Sequence, residues 1–266
     1  MIKVAVAGVC GRMGMSLASL AAADADIELV GATEVSGHPS IGRELGDFVE
    51  GAEPGASVSD GIEVAAGTAD VIIDFTAPEA TLAHAEYSVR NEKSMVIGTT
   101  GFTPEQRERL LRLLEQIPCV FAPNMSVGVN VLFEISRQVA SHLGDGYDAE
   151  IFETHHRAKA DSPSGTAIAL AEAVASGLGS ELEDVARYER HGRIGAREKG
   201  EIGIQTLRGG DVVGDHTVMF LGDGERVELT HKATSRDNFS AGALRAAKWI
   251  PGKSPGVYTM RDVLGF

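Results

Sequence analysis

Two histidines and a lysine lie just before a turn of small residues near the middle of this 266-residue chain. His155, His156 and Lys159 precede Ser164-Gly165-Thr166, and an alanine-rich segment follows. The first amide N–H groups of a helix lack intrahelical acceptors and its dipole favours negative charge, so a helix beginning here would bind an anion. The cluster predicts a site that protonates a small carboxylate during a reaction. The alternative is a solvated charged loop in which Ser164 is an ordinary N-cap.

A glycine string near the N-terminus has the spacing of a dinucleotide-binding turn. Gly8, Gly11 and Gly14 form Gly-x-x-Gly-x-x-Gly between a predicted strand and a predicted helix. Glycines at this position permit a tight turn and a close approach of the backbone to a pyrophosphate. Glu34 ends the next predicted strand, where an acid accepts hydrogen bonds from the adenine ribose. The alternative is a glycine-rich turn beside an unrelated acid.

Three later segments also follow predicted strands, namely 74–76, 98–101 and 124–126. In open α/β sheets, ligands bind beyond the carboxyl ends of the strands, so these segments are expected to surround the nicotinamide and its ribose. The predicted cofactor-binding residues are Gly8, Val9, Cys10, Gly11, Arg12, Met13, Glu34, Phe75, Thr76, Gly98, Thr99, Thr100, Ala122, Pro123, Asn124 and Met125.

The elements that position these residues alternate between strand and helix in the first half of the chain. Unbroken apolar runs separated by helical segments predict a parallel sheet with helices on both faces, in a doubly wound, Rossmann-like α/β fold. The predicted strands are 2–7, 27–33, 69–75, 95–97 and 119–122. The predicted helices are 12–23, 78–91 and 104–116, the last with Thr103 as N-cap.

The second half has a different pattern, which predicts an α+β domain with an open antiparallel or mixed sheet. A helix over 129–143 leads to a strand that ends at the histidines, and a further helix follows Ser164. Short runs at 201–207, 217–221 and 226–230 come next. Gly222-Asp223-Gly224 joins the last two and predicts a hairpin. A helix over 238–249 is expected to return to the first domain.

Composition narrows the functional class. The net charge of −14 argues against nucleic-acid binding, which needs a basic face. No apolar run approaches the roughly 20 residues that span a bilayer. Cys10 and Cys119 are the only cysteines and provide neither a disulfide framework nor metal-ligand spacing. We interpret both as packing residues and expect a cytoplasmic enzyme without a metal.

Together these strings resemble the 4-hydroxy-tetrahydrodipicolinate reductase family, also called dihydrodipicolinate reductase, of bacterial lysine biosynthesis. The most specific string is His-His-Arg-x-Lys-x-Asp-x-Pro-Ser-Gly-Thr at 155–166. The resemblance covers essentially the whole chain. The other matching segments are 8–14, 74–76, 98–101, 122–126, 153–154, 200–203, 208–210, 214–216 and 236–239.

The resemblance implies NAD(P)H-dependent reduction of 4-hydroxy-tetrahydrodipicolinate, through dihydrodipicolinate, to tetrahydrodipicolinate with loss of water, on the diaminopimelate route to lysine. It implies that His155 is the general acid/base and that Lys159 donates a proton. His156, Lys159 and Ser164-Gly165-Thr166 would hold the substrate carboxylates. It also implies a dinucleotide-binding domain of residues 1–126, completed by 237–266. Residues 127–236 would bind substrate and build a homotetramer.

The residue after the ribose-binding acid differs from the one that often stands there in reductases of this family that use NADPH well. Those members often carry arginine at this position. This chain has Val35 there, so a 2′-phosphate would face Glu34 without its usual cation. Arg12 would compensate in part. We therefore expect NADH to be used at least as well as NADPH.

Two other readings stay open at the level of sequence. Another Rossmann-fold dehydrogenase, such as aspartate-semialdehyde dehydrogenase, would need a nucleophilic cysteine paired with a distant histidine, and Cys119 lies on a predicted core strand. A non-catalytic dinucleotide sensor would need no histidine–lysine set.

Overall fold

The computed structural model describes residues 1–266. The strands are β1 (Ile2–Ala7), β2 (Ile27–Thr33), β3 (Val58–Ser59), β4 (Val71–Asp74), β5 (Ser94–Ile97), β6 (Pro118–Phe121), β7 (Asp148–His155), β8 (Ala186–Arg187), β9 (Ile202–Arg208), β10 (Gly214–Gly222), β11 (Glu225–Ala233) and β12 (Gly256–Tyr258). The α-helices are α1 (Arg12–Ala23), α2 (Ile62–Ala65), α3 (Pro78–Arg90), α4 (Pro104–Leu114), α5 (Val127–Leu143), α6 (Gly165–Leu178), α7 (Leu182–Val185), α8 (Asp237–Trp249) and α9 (Met260–Leu264). None of these helices has the length and apolar character needed to cross a bilayer.

One compact unit comprises Met1–Val127 and Arg236–Phe266. Its seven strands form one sheet in the order β12-β6-β5-β4-β1-β2-β3, and every neighbouring pair is parallel. The predicted doubly wound parallel sheet is confirmed.

The central strand β1 shows why its sequence is an unbroken apolar run. Consecutive side chains of a strand point to opposite faces of the sheet. Val4 and Val6 join a buried cluster that contains Leu17 of α1, whereas Ala5 joins a second cluster that contains Leu110 of α4. Both faces are therefore covered, which removes the polar alternation of a half-exposed strand.

The C-terminal segment packs closely within this unit. A Cβ atom added at Gly242 of α8 would lie 1.8 Å from the carbonyl oxygen of Met125, so only glycine permits this approach. The hydroxyl of Ser16 in α1 donates to the Asp237 carboxylate over 2.6 Å. The chain then adds β12 beside β6. Helix α8 begins at Asp237, one residue before the start of the predicted range 238–249.

The second unit comprises Gly128–Ser235 and contains a five-stranded mixed sheet in the order β11-β10-β7-β9-β8. β7 pairs in parallel with β9 and antiparallel to β10. One face buries Ile151, Val218 and Phe220 against Leu170 and other residues of α6. On the opposite face Leu207 is 50% exposed and Phe152 and Met219 are partly exposed, whereas Thr217 is buried. The predicted open mixed sheet is confirmed.

Differences from the predicted elements are confined to ends and short segments. β3 and β8 have two residues each, too few to show a periodicity. The hairpin strands β10 and β11 are longer than predicted, because their ladder extends through polar residues to Gly214 opposite Ala233. Thr103 is the N-cap of α4, as predicted, and it also forms a full capping box with Gln106.

Candidate active site

The glycine string forms the turn between β1 and α1 in the first unit. Gly8 has a positive φ of 69°, and its carbonyl accepts the Gly11 amide over 3.1 Å. A Cβ atom added at Gly14 would lie 2.0 Å from the Gly8 carbonyl oxygen. The start of α1 has neither a side-chain cap nor an acidic residue in its first turn. The amides of Val9, Cys10 and Gly11 are already bonded within the protein, so the donors for an anion are the first-turn amides of α1, where the helix dipole also favours negative charge.

Glu34 lies directly beside this turn. Its carboxylate accepts the amide of Cys10 over 2.9 Å and the amide of Val35 over 2.9 Å. The preceding Thr33 carbonyl accepts the amide of Val9 over 3.0 Å. Val35 is 69% exposed and Arg12 is also exposed. The end of β2 therefore carries an acid next to the turn, as a ribose-binding role requires.

Asp74 at the end of β4 is fully buried and organises the neighbouring loops. Its carboxylate accepts from the Thr76 amide at 3.0 Å, the Thr76 hydroxyl at 2.6 Å and the Thr99 hydroxyl at 3.2 Å. His84 Nδ1 of α3 lies 2.7 Å from its other oxygen. Burial raises the pKa of Asp74, but the hydrogen bonds from His84 and Thr76 outweigh it and lower the pKa overall.

The segments that follow β5 and β6 lie at the same carboxyl edge of the parallel sheet as Asp74. A Cβ atom at Gly98 would lie 2.1 Å from the Phe75 ring, so glycine lets that ring lie against the backbone. The Ala122 amide bonds to the Ile97 carbonyl over 3.1 Å. Ala122 and Met125 are buried, Asn124 is half-buried, and Thr100 and Pro123 are exposed. Asn124 accepts the Ser126 amide over 2.9 Å.

The two cysteines differ in their surroundings. Cys119 is fully buried in β6, and burial raises the pKa of its thiol, so it is not a nucleophile. Cys10 is half-buried in the glycine turn. No group of three or more His, Cys, Asp or Glu side chains has an arrangement suited to a metal ion.

In the second unit, His155 ends β7 and is buried beside Glu153. Its Nδ1 lies 2.5 Å from a carboxylate oxygen of Glu153. Arg208 of β9 donates two hydrogen bonds to the same carboxylate, at 2.7 and 2.9 Å. Burial raises the pKa of Glu153, but Arg208, His155 and the Ser164 amide lower it overall. A charged carboxylate therefore orients the imidazole.

The small-residue turn begins α6, as predicted. Ser164 is the N-cap, and its hydroxyl accepts the Ala167 amide over 3.1 Å. The Ser164 amide donates to Glu153 over 2.9 Å. Gly165 is exposed as the first helical residue, and a Cβ atom added there would meet nothing within 4 Å. The turn presents the amide of Gly165 at a helix N-terminus, where a carboxylate is favoured.

His156 and Lys159 lie on the loop between His155 and this turn. The His156 amide bonds to the Val212 carbonyl over 2.8 Å. The Lys159 ammonium lies 2.8 Å from the Asp161 carboxylate. Arg208 also donates to the Asp161 carbonyl over 2.7 Å, which joins the loop to Glu153. The loop therefore holds the Lys159 ammonium at Asp161 and is itself linked to Glu153 through Arg208.

His216 of β10 is a further buried histidine in this cluster. Its Nε2 lies 3.0 Å from the Ser164 hydroxyl, and its ring meets that of His155 edge-on with centroids 5.1 Å apart. Burial, and next the charge of His155, lower the pKa of His216 to about 4. The ring is neutral at pH 7, so positive charge in this cluster resides on other groups.

No role for Glu153, Arg208 or His216 was predicted from the sequence. The spacing of Glu153 and His155 carried a signal, because residues two apart on a strand share a face. Arg208 and His216 reach them only through the pairing of β7 with β9 and β10, which local sequence does not encode.

Comparison with known proteins gives consistent results for both halves of the chain. A family model described as "Dihydrodipicolinate reductase, N-terminus" matches residues 2–125, and its C-terminal counterpart matches residues 128–264. The 4-hydroxy-tetrahydrodipicolinate reductase of Anaeromyxobacter dehalogenans strain 2CP-1 is 52% identical over 265 residues, covering 100% of this chain and 98% of the relative. That of Syntrophus aciditrophicus strain SB is 48% identical, covering 100% and 99%.

Solved structures agree at the level of the fold. Dipicolinate-bound dihydrodipicolinate reductase from Paenisporosarcina sp. TG-14 has a TM-score of 0.76 and 27% identity, covering 97% of each chain. An amine dehydrogenase from Mycobacterium smegmatis has a TM-score of 0.60 at 13% identity, covering 97% of this chain and 95% of that one. The latter similarity is one of fold alone.

Proposed function

The chain belongs to the 4-hydroxy-tetrahydrodipicolinate reductase family, and from that premise we propose that it reduces 4-hydroxy-tetrahydrodipicolinate to tetrahydrodipicolinate with loss of water. The family consists of pyridine-nucleotide-dependent oxidoreductases. The product serves diaminopimelate and lysine synthesis. The observation that carries the proposal is the buried Glu153–His155 pair beside the helix N-terminus at Ser164.

The substrate has two carboxylates, and the second unit supplies donors for them. We assign one carboxylate to the amides of Gly165 and Thr166 with the Ser164 turn, where the start of α6 favours negative charge. Lys159 and His156 neutralise the other, since an ammonium and an imidazole suit a planar dicarboxylate. The dipicolinate bound to the Paenisporosarcina relative supports a dicarboxylate of this type.

Proton transfer is assigned to His155, with Lys159 as a second donor. When bound, the reduced nicotinamide supplies a hydride. The substrate ring must also take up one proton, and we assign its donation to the imidazole of His155. The Glu153 carboxylate accepts only, so His155 donates to it from Nδ1 and uses Nε2 toward the substrate.

The first unit fits a dinucleotide. A pyrophosphate requires a close backbone approach and free helix donors, which the glycines at 8 and 14 and the uncapped start of α1 provide. An adenosine ribose requires an acid, which Glu34 provides. Residues Gly8 to Met13 would hold the pyrophosphate. The segments at Phe75-Thr76, Gly98 to Thr100 and Ala122 to Met125 would hold the nicotinamide and its ribose.

The cofactor preference we propose is NADH at least as good as NADPH. Glu34 accepts hydrogen bonds from ribose hydroxyls, whereas a 2′-phosphate would bring about two negative charges close to it. Val35 offers no cation, and Arg12 at the start of α1 compensates in part. We further assign substrate binding and homotetramer formation to residues 127–236, cofactor binding to 1–126 with 237–266, and a cytoplasmic location to the enzyme.

The decisive test is oxidation of NADH with and without freshly prepared 4-hydroxy-tetrahydrodipicolinate. We expect oxidation that depends on this substrate and stops when it is consumed. Aspartate semialdehyde with phosphate and NADP⁺ serves as the control for the other dehydrogenase class, which the buried Cys119 does not support. A protein that binds NADH but oxidises it with neither substrate would be a sensor, contrary to the proposal.

A further inference from the structure

The Glu153 carboxylate makes five hydrogen bonds although its side chain is fully buried. One oxygen accepts from His155 Nδ1 at 2.5 Å and from Arg208 at 2.7 Å. The other accepts from the Ser164 amide at 2.9 Å, from Arg208 at 2.9 Å and from the Thr206 hydroxyl at 3.3 Å. A single side chain is thus bonded both to the proposed proton donor and to the first residue of the proposed anion site.

The bond to His155 determines which ring nitrogen stays available for proton exchange. A carboxylate without a proton can only accept, so Nδ1 of His155 must donate. The proton that the ring exchanges is then the one on Nε2. A Cβ atom at Gly214 would lie 2.9 Å from this nitrogen, so the glycine leaves room beside it. Glu153 therefore fixes both the tautomer and the direction of the imidazole.

The bond to Ser164 fixes the start of α6. The Ser164 amide is held by Glu153, its hydroxyl by the Ala167 amide and His216, and its carbonyl by the Ile168 amide at 3.1 Å. Every polar group of Ser164 thus has a partner, supplied by β7, by β10 or by the first turn of α6. The next peptide, with the amide of Gly165, is therefore oriented by the same network.

Arg208 explains how a buried carboxylate stays charged in this role. Its guanidinium binds Glu153 through two nitrogens, a geometry that matches charge and shape together. Thr206 and Arg208 follow one another on the same face of β9, opposite Glu153 and His155 in the ladder. The network is thus fixed by two paired strands rather than by a loop.

We propose that Glu153 is the positioning residue of the substrate site, holding the His155 imidazole and the Ser164-Gly165 turn in a fixed mutual arrangement. This inference rests on the proposed function. Glu153 does not touch the substrate in this scheme and acts through its two partners. Its loss should therefore impair both proton transfer and dicarboxylate binding, which no single contact with the substrate would explain.

The test compares Glu153→Gln with Glu150→Gln. Glu150 lies on the same strand and is also bound by arginines, Arg190 and Arg197, but it contacts neither His155 nor Ser164. We expect Glu153→Gln to lower kcat by about 100-fold, as for loss of a carboxylate that orients a functional histidine. Its Kd for pyridine-2,6-dicarboxylate should rise about tenfold. Glu150→Gln should change both by less than about threefold.

The pH profile separates positioning from general destabilisation. Glu153 and His216 contact His155 directly, and Arg208 pairs with Glu153. His231 and Lys159 act electrostatically on His216, and Lys159 pairs with Asp161. Glu153→Gln removes one negative charge from this set and so disfavours the imidazolium. The descending limb of kcat against pH should move to lower pH in Glu153→Gln and stay in place in Glu150→Gln.

Glu153→Asp guards against a variant that fails to fold. It keeps the charge for Arg208 but withdraws the carboxylate by about one C–C bond, roughly 1.5 Å, from His155 and Ser164. We expect a folded protein with kcat reduced about tenfold. If the parent enzyme reduces substrate while both Glu153 variants keep kcat and dicarboxylate affinity within twofold, the positioning role is wrong. If the parent shows no reduction, the proposed function itself fails.

Discussion

The carboxylate of Glu34 lies 2.9 Å from the backbone nitrogen of Cys10, which joins the end of β2 to the glycine turn. The acid proposed to hydrogen-bond the adenosine ribose is thereby fixed beside the turn proposed to hold the pyrophosphate. Residue 35 follows it directly, with a side chain that extends into solvent. Cofactor choice should thus depend on this short stretch.

We predict that the parent has a kcat/KM for NADH at least equal to that for NADPH, and that Val35→Arg shifts the ratio about fivefold toward NADPH. An exposed ion pair with a phosphate contributes about 1 kcal/mol, which salt should weaken. Val64→Arg, at another exposed valine of the same unit, is the matched control and should leave the ratio unchanged. A parent that prefers NADPH tenfold or more would overturn this reading of Glu34 and Val35.

A second prediction concerns Asp74, whose carboxylate binds Thr76, Thr81, Thr99 and His84. Asp74→Asn should lower the free energy of unfolding by about 3 kcal/mol, because it leaves a buried partner unpaired. It should also weaken NADH binding, since Thr76 and Thr99 lose their anchor. Asp70→Asn, which affects an exposed acid just before β4, should cost less than about 1 kcal/mol. Denaturant unfolding measures the change in stability, and NADH fluorescence titration measures the change in affinity. If Asp70→Asn loses as much stability and affinity as Asp74→Asn, Asp74 does not anchor Thr76 and Thr99.

The sequence predicted the elements that position the site because their signals are local. The apolar run of β1, the glycine turn and the Ser164 cap each depend on neighbouring residues. The role of Arg208 was not predictable, because it requires Arg208 to pair with His155 in the β7–β9 ladder. His216 approaches Ser164 only through β10. Asp74 lay in a segment expected to line the cofactor site, yet its burial and its bond to His84 depend on how α3 packs.

The Gly165 position provides a third prediction, on substrate binding. Gly165→Val should raise the Kd for pyridine-2,6-dicarboxylate at least about tenfold, because its side chain would occupy the approach to the helix N-terminus. The fold should tolerate the change, since an added Cβ meets no neighbour within 4 Å. Calorimetric titration at low and high salt, together with a melting curve, measures both properties. Unchanged binding in a folded variant would place the carboxylate site elsewhere.

A fourth prediction concerns acid stability. Burial lowers the pKa of His216 to about 4, below its ordinary value of 6.5, so the native state binds fewer protons than the unfolded state between these values. His216 therefore lowers the free energy of unfolding as the pH falls from 6.5 toward 4. The loss from this one group is about 3 kcal/mol. His216→Gln should show a correspondingly smaller loss between pH 7 and pH 4 in denaturant unfolding. The control is His142→Gln, at an exposed histidine of α5, which should lose as much free energy of unfolding between pH 7 and pH 4 as the parent does. If His216→Gln also loses as much as the parent, the assignment to His216 is wrong.

The assignment of proton transfer to His155 and Lys159 depends above all on one measurement, substrate-dependent NADH oxidation by the parent, His155→Ala and Lys159→Ala. We predict that the parent reduces 4-hydroxy-tetrahydrodipicolinate and that His155→Ala lowers kcat by about 10²- to 10⁴-fold with little change in KM. Lys159→Ala should lower kcat and also raise KM, because its ammonium serves both proton donation and charge neutralisation. Near-normal turnover in both variants, with an active parent, would contradict the assigned chemistry.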